Sequence, residues 1–317
     1  MEEQIKKYDS IFEGIELGIG TWAWGDRLVW GYGNQYAAAE VEDTFHAAIE
    51  NGIRFFDTAE VYGQGKSEKF IGQLLPKTSE EIRVATKIMP FPWRLGKKAL
   101  KKALQASLGR LNLTKVDLYQ VHWPMPPVSI ESWMDQMADA YADGLVSAVG
   151  VSNYDLDQTK RAADALQKRG LTLASNQVEY HLLERRIEKN GLVDFCKSNG
   201  IKIIAYSPLA MGILSGKYTP NNPPKGTRSA HYNRALLEEI QPLIKLMKSI
   251  GMDREGKTAA QVAINWVVSK GALAIPGAKN IGQVEQNAGA IGWRLSDDEI
   301  NRLDVLSDKI SKVLSNN

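Results

Sequence analysis

The 317-residue chain contains one cysteine and four histidines, and neither sign of charge is in strong excess. A single thiol, Cys196, rules out an intramolecular disulfide framework and suits a reducing compartment. It lies in Leu192-Val193-Asp194-Phe195-Cys196 with no activating group beside it, and reads as a small core residue. Lys and Arg total 39 against 37 Asp and Glu, a formal net charge of +2, so no strong field points to nucleic acid or an anionic membrane. No apolar run approaches the ~18 residues that mark a membrane-spanning helix. The first residues, Met1-Glu2-Glu3-Gln4-Ile5-Lys6-Lys7, lack the apolar core of a signal peptide and are too acidic for a transit peptide. We therefore expect a cytoplasmic protein, or the mature form of an organellar one. The densest basic run, Lys97-Lys98-Ala99-Leu100-Lys101-Lys102, sets its lysines on one side of an amphipathic helix and reads as a solvated face.

What the sequence does have is regular alternation. Apolar runs that read as strands end near Thr21, Asp57, Lys87, His122, Ser152, Glu179, Ser207 and Gly277. Amphipathic segments lie between them at residues 38–51, 67–75, 97–111, 130–142, 156–168, 188–198 and 257–269, with another from Ile281; residues 235–256 stay unassigned. Eight such units without a Gly/Ser-rich linker predict an α/β protein, a single (β/α)₈ TIM barrel forming one domain over residues 1–317. Residues 11–18 alternate around Gly14 and suit a short N-terminal hairpin that closes the barrel bottom. Ser296 followed by Glu299 is a capping-box pattern and starts an extra C-terminal helix. Two connections exceed what a barrel needs: residues 23–36, rich in Trp and Gly, and residues 208–234, rich in Pro, Gly and Asn. Loops of that length in a compact fold are usually functional.

The C-terminal strand ends of a parallel barrel open onto one face, so Asp57, Tyr62, Lys87 and His122 are expected to converge there. A buried Lys beside a Tyr should lower the phenol from its ordinary pKa of about 10 and make it a usable proton donor. Asp57 and Lys87 also read as a buried ion pair between strands, and His122 as a core histidine; their shared strand-end position favours chemistry. His46, His181 and His231 have no such company and are read as structural. Gly18-Ile19-Gly20-Thr21-Trp22-Ala23 formally matches a G-x-G-x-x-G/A dinucleotide fingerprint. Trp24-Gly25-Asp26 follows it instead of a helix, and no acidic residue stands at a strand end about 20 positions on, so a Rossmann site is rejected.

Several segments occur in the order characteristic of one family: Phe56-Asp57-Thr58-Ala59-Glu60-Val61-Tyr62-Gly63, Ala85-Thr86-Lys87, His122-Trp123-Pro124, Gly150-Val151-Ser152-Asn153, Asn176-Gln177-Val178-Glu179, Ala205-Tyr206-Ser207-Pro208-Leu209, Gly212-Ile213-Leu214-Ser215-Gly216-Lys217-Tyr218 and Ile275-Pro276-Gly277-Ala278-Lys279. The chain thereby resembles the aldo-keto reductases from about Leu17 to Arg302. The resemblance implies NADPH/NADP as cofactor, a small-molecule carbonyl as substrate, no metal, and a monomer or small homo-oligomer. It makes Tyr62 the proton donor, Lys87 and Asp57 the charged pair that tunes it, and His122 the group that orients the carbonyl. Tyr206 matches the aromatic that stacks on nicotinamide, and Ser152, Asn153 and Gln177 match positions that bind its amide. Thr21, Trp22 and Asp57 border the same end, while Ser207, Pro208, Leu209, Ala210, Gly212, Lys217 and Arg228 belong to the loop that folds over the pyrophosphate. Gly277, Lys279 and Gln283 match the adenosine 2′-phosphate site, and Gln286 and Asn287 would reach the adenine. A cation at Lys279 favours NADP over NAD; Gln283 stands where Arg often occurs.

Trp22, Trp24, Trp30 and Tyr32 of the first loop, with Trp123 and Met125 after His122, are expected to wall the substrate pocket beside Tyr62 and His122. Aromatic walls suit a planar carbonyl. The first loop is similar to that of plant pyridoxal reductases, which implies pyridoxal or another planar aldehyde. Two other readings stand beside this one. Residues 212–218 also resemble the β-subunits of voltage-gated potassium channels, NADPH-binding regulatory proteins that lack His122. A Schiff-base barrel using Lys87 would need a neutral amine, which Asp57 opposes.

Overall fold

The computed structural model describes residues 11–96, 98–224 and 232–315, with the side chains of its last helix described to residue 310. Residues 1–7, Lys97, Arg228 and His231, on which expectations were placed, lie outside them. Eight strands pair in parallel in chain order: β1 (Ile19–Gly20), β2 (Phe55–Asp57), β3 (Arg83–Ile88), β4 (Val116–Val121), β5 (Val146–Ser152), β6 (Ser175–Glu179), β7 (Lys202–Tyr206) and β8 (Leu273–Ile275). Parallel bridges Leu17 to Ala274 and Gly20 to Gly277 bring β8 back to β1 and close the barrel. The Gly20 N–H donates to Pro276 O at 3.0 Å. A Cβ on Gly20 would stand 2.9 Å from the Ile275 carbonyl oxygen, so closure at this seam requires glycine.

The helices are α1 (Ala38–Glu50), α2 (Lys66–Leu74), α3 (Ala99–Leu111), α4 (Ile130–Ala142), α5 (Leu156–Lys168), α6 (Arg186–Lys189), α7 (Leu192–Ser198), α8 (Arg234–Asp253), α9 (Ala259–Ser269), α10 (Ile281–Ala288) and α11 (Asp297–Ser315). No helix among the described residues is long and apolar enough to cross a membrane. Ser129, Asp155, Asn233, Thr258 and Asn280 each cap the helix that follows by accepting from a backbone N–H three residues on. The predicted capping box before the last helix forms, with the Ser296 N–H on Glu299 at 2.7 Å and the Glu299 N–H on Ser296 Oγ at 3.3 Å.

Two expectations require correction, and one unassigned stretch turns out to be helical. Residues 11–18 make no hairpin: the chain turns, with the Ile15 N–H on Phe12 O, and only Leu17 bridges, to Ala274. The apolar side chains of Ile11, Phe12 and Ile15 still pack under the barrel against Phe55, Leu118, Ile204 and Leu273. The helix expected at 188–198 is two, α6 and α7, because Gly191 takes a left-handed φ of 82° between them. Most of the unassigned stretch 235–256, up to Asp253, belongs to α8, which buries Leu237, Ile240, Leu243, Ile244, Met247 and Ile250 against α9 and α11. Pro242 obscures this helix in the sequence. It sits on the exposed side, as does Glu238, whose carbonyl loses its intrahelical partner to the proline.

Alternation along the strands sorts the barrel interior by height. Phe55, Ala85, Leu118, Ala148, Ile204 and Leu273 fill the lower part with apolar side chains. Two residues further along the same inward faces come Asp57, Lys87, Gln120 and Tyr206, with Gln177 in register beside Ile204. Polar groups are thereby gathered at the C-terminal end, over an apolar floor.

Candidate active site

Asp57 ends β2 and Lys87 lies on β3, both buried. The Lys87 ammonium distributes its donors among Asp57 Oδ1 at 2.5 Å, the Thr58 carbonyl at 2.8 Å and the Tyr62 hydroxyl at 3.4 Å. The second carboxylate oxygen of Asp57 accepts from Gln177 Nε2 at 2.8 Å and from Gln120 Nε2 at 3.3 Å. Five side chains from four strands and one turn, with the Thr58 carbonyl, thus form one network. A buried charge is tolerable only when paired and hydrogen-bonded in this way.

Tyr62 does not sit on a strand. It opens a tight turn, Tyr62–Gly65, in which Gly63 and Gln64 adopt left-handed conformations with φ of 55° and 57°. A Cβ on Gly63 would meet the Gly25 carbonyl carbon and oxygen at 2.8 Å, so the turn rests directly on the first loop. Beneath it, Ser67 bonds to the hydroxyls of Thr21 and Thr58 and to the Thr21 carbonyl, which fixes the start of α2 against β1 and β2. The Tyr62 ring lies edge-on to His122, 5.7 Å between centroids, and nearly parallel to Trp22 at 6.2 Å.

The electrostatics differ from expectation in one respect. Burial raises the Tyr62 phenol above its ordinary value; Lys87 opposes this and Asp57 adds to it, and the net direction is upward rather than downward. Desolvation of the phenolate therefore outweighs the single cation beside it. For Lys87 burial disfavours the ammonium, but Asp57 and Tyr62 together hold its pKa above the ordinary lysine value. Burial, then Lys87, pushes His122 down to about 3, so its imidazole is neutral. Its Nδ1 is buried without a hydrogen-bond partner among the described residues.

These groups stand at one end of a cleft of about 960 Å³, near the upper end of the ~300–1,000 Å³ typical of small-molecule sites. Of the residues singled out in the sequence, Asp57, Tyr62, His122, Trp22, Trp30, Trp123, Ser152, Asn153, Gln177, Tyr206, Ser207, Pro208, Leu209, Gly212, Lys217, Gly277, Lys279, Gln283, Gln286 and Asn287 line it. Six of the described residues that were predicted do not, Tyr32 and Met125 among them; Tyr32 packs edge-on to Tyr36 and Phe70 instead. Thr21 is buried, with its hydroxyl on Asp57 O at 2.9 Å; Lys87 and Ala210 lie behind the wall. Trp24 was expected in the substrate pocket but is fully buried, its indole N–H on Ala278 O at 3.0 Å and its ring against Phe56. An indole with a buried carbonyl partner is satisfied in the core, and this one fastens the first loop to the β8 end.

Along the cleft the polar contacts form a second network. Tyr206 donates to Asn153 Oδ1 at 2.9 Å; Asn153 Nδ2 donates to His122 O and to Ser152 Oγ, both at 3.0 Å; and Ser152 Oγ donates to Gln177 O at 2.9 Å. Asn153 reaches these partners with a left-handed φ of 62°, a region that asparagine enters more readily than most residues. Ser207, Ala210, Met211 and Gly212 are also left-handed, which bends the loop after β7 over the cleft. Lys279 and Gln283 also line the cleft, and the Lys279 N–H donates to Gln283 Oε1 at 2.9 Å. Gln286 accepts from the Thr258 hydroxyl at 2.9 Å. Sequence reasoning overlooked Gln120, although its register with Leu118 on β4 marks it as inward-facing, and also Gln35, Val61, Met89 and Met211, which line the cleft. Outside the site, Cys196 is buried with its thiol pushed up to about 12, and His181 is held by Glu179 and the Leu183 N–H.

A barrel with an acid–base cluster at its C-terminal face and a long cleft leading away from it defines a class of oxidoreductase. The chain belongs to the Aldo/keto reductase family, whose model matches residues 16–308. It is 39% identical over 315 residues to the chloroplastic pyridoxal reductase of Arabidopsis thaliana, covering 95% of this chain and 85% of that one. It is 32% identical to a methylglyoxal reductase of Escherichia coli, covering 96% and 95%. Among solved structures it is similar to a glycerol dehydrogenase from Gluconobacter oxydans, with a TM-score of 0.82 and 29% identity over 93% of this chain and 91% of that one. An aldo/keto reductase from Klebsiella pneumoniae in complex with NADP and acetate matches with a TM-score of 0.71 and 29% identity, covering 92% and 91%.

Proposed function

We propose that this protein reduces an aldehyde or ketone to the alcohol with NADPH, with Tyr62 as proton donor and a planar aldehyde such as pyridoxal as substrate. The observation that carries this reading is the Tyr62, Lys87, Asp57 and His122 cluster at one end of a cleft that has cations, Lys217 and Lys279, further along it. The cleft fits a dinucleotide: Tyr206 offers a ring at the catalytic end, Asn153 and Ser152 offer amide and hydroxyl groups beside it, and the left-handed loop after β7 covers the middle. NADPH, when bound, supplies the hydride that forms the new C–H bond at the carbonyl carbon. The Tyr62 hydroxyl delivers the proton to the oxygen, and Lys87 stabilises the phenolate left behind. Asp57 keeps Lys87 charged for that task. His122, neutral, orients the carbonyl by a hydrogen bond without adding a competing cation.

The aromatic rim supports a planar substrate. Trp123 is 42% exposed and Trp22 39%, both at the cleft mouth, and such rings reward flat partners by stacking. The pyridoxal reductase relative points the same way. The test is NADPH oxidation against pyridoxal, a substituted benzaldehyde and propanal, in the parent and in Tyr62→Phe. The variant should lose about 10²–10⁴ in turnover while binding NADPH with little change by calorimetry. Retained turnover would overturn the assignment of Tyr62, and the absence of turnover with every aldehyde in the parent would favour a regulatory NADPH-binding role.

A further inference from the structure

Lys279, which lines the same cleft as Tyr62, is not held by its own strand end alone. Its ammonium sits over two rings of the first loop, 5.5 Å from the centroid of Trp30 and 5.1 Å from that of Tyr36. Both rings are themselves anchored. Tyr36 is buried and donates its hydroxyl to Ala23 O, and Trp30 packs edge-on to Trp22 at 5.6 Å. Trp22 in turn stacks on Tyr62. The backbone of the loop is fixed by Asp26, which accepts from the Val29 N–H at 2.7 Å and the Trp30 N–H at 3.1 Å. A continuous line of contacts, Lys279 to Trp30 to Trp22 to Tyr62, therefore links four residues that line the cleft.

We infer that Trp30 is a positioning residue for the cofactor's 2′-phosphate: with Tyr36 it forms an aromatic seat that holds Lys279 in the cleft. The inference rests on the proposed NADPH reading. A free lysine side chain loses considerable rotamer freedom when it engages a phosphate. Seating its ammonium against two ring faces removes part of that freedom beforehand, and Lys279 lines the cleft. NADH, which lacks the 2′-phosphate, gains nothing from the seat. Cofactor discrimination is thus assigned in part to a loop that also walls the catalytic end, rather than to the β8 end alone.

The experiment is calorimetric titration of NADPH and NADH into the parent, Lys279→Met, Trp30→Leu, Trp30→Phe and the double variant Lys279→Met/Trp30→Leu. Calorimetry avoids the change in intrinsic fluorescence that replacing a tryptophan brings. Trp30→Leu should weaken NADPH binding about 3- to 10-fold with NADH nearly constant, the size expected for losing a cation–π contact. Trp30→Phe, which keeps a ring face, should restore most of the discrimination. In the Lys279→Met background the Leu substitution should leave the NADPH to NADH ratio unmoved. If Lys279→Met lowers the ratio but Trp30→Leu does not, the seat is refuted while Lys279 keeps its phosphate role. If Lys279→Met itself leaves the ratio unchanged, the 2′-phosphate reading of Lys279 fails first. An equal loss for both cofactors in Trp30→Leu would also overturn the proposal, since it would mean that the loop merely covers the cleft.

Discussion

The side-chain amide of Gln177 donates to Asp57 Oδ2 at 2.8 Å, across 120 positions of sequence and from the opposite part of the barrel. A residue expected to serve the cofactor is thereby also a structural partner of the buried carboxylate. Gln177→Leu should cost about 1–3 kcal/mol, the penalty of leaving a buried acceptor short of a donor, with Gln120 at 3.3 Å as its remaining contact. Urea unfolding measures this. An unchanged midpoint would show that Gln177 does not hold Asp57.

In the proposed reaction Lys87 would serve both stability and chemistry, and the two can be separated. Lys87→Met strands a buried carboxylate and should cost about 3–5 kcal/mol, along with a turnover loss at least comparable to that of Tyr62→Phe. The double variant Asp57→Asn/Lys87→Met removes the stranded charge and should regain much of the stability but none of the turnover. Recovery of both would make the pair purely structural.

For His122 the sign is set by burial. Its pKa of about 3 lies below the ordinary 6.5, so the unfolded chain takes up a proton that the folded chain refuses. The stabilisation from keeping it neutral is fully present above 6.5 and is lost as pH falls toward 3. His122→Asn should therefore lose stability less steeply than the parent over that acid range in thermal melts. Neither protein should show a histidine ionisation in kcat/KM between about pH 5 and 8. A parent limb in that window that the substitution abolishes would contradict a neutral imidazole.

Two tryptophans that look alike in sequence should respond in opposite ways. Trp24→Ala empties a fully buried site and should cost about 3–5 kcal/mol without reordering aldehyde preference. Trp123→Ala, at the exposed rim, should change stability by no more than about 0.5 kcal/mol. It should, however, reduce kcat/KM for pyridoxal more than for propanal. Equal responses of the two aldehydes would leave Trp123 without a role in specificity.

The barrel, the order of its strands and the convergence of Asp57, Lys87 and His122 were legible in the chain's local patterns. Strand alternation and helical periodicity are local signals, and in a parallel barrel every strand end faces the same way, so position along the chain already implies position in the site. Local pattern failed where a proline or glycine carries two meanings: Pro242 sits inside α8 rather than ending it, and Gly191 breaks a helix that reads as continuous. Only the tertiary structure decided that Trp24 is core while Trp123 is rim, that Gln120 and Gln177 both serve Asp57, and that Lys279 rests on Trp30 and Tyr36. Each of these is a meeting of residues tens to hundreds of positions apart, which no local periodicity encodes. The raised pKa of Tyr62 belongs with them. A sequence shows that a cation is near, but the balance between that cation and the loss of water depends on how completely the fold encloses the phenol.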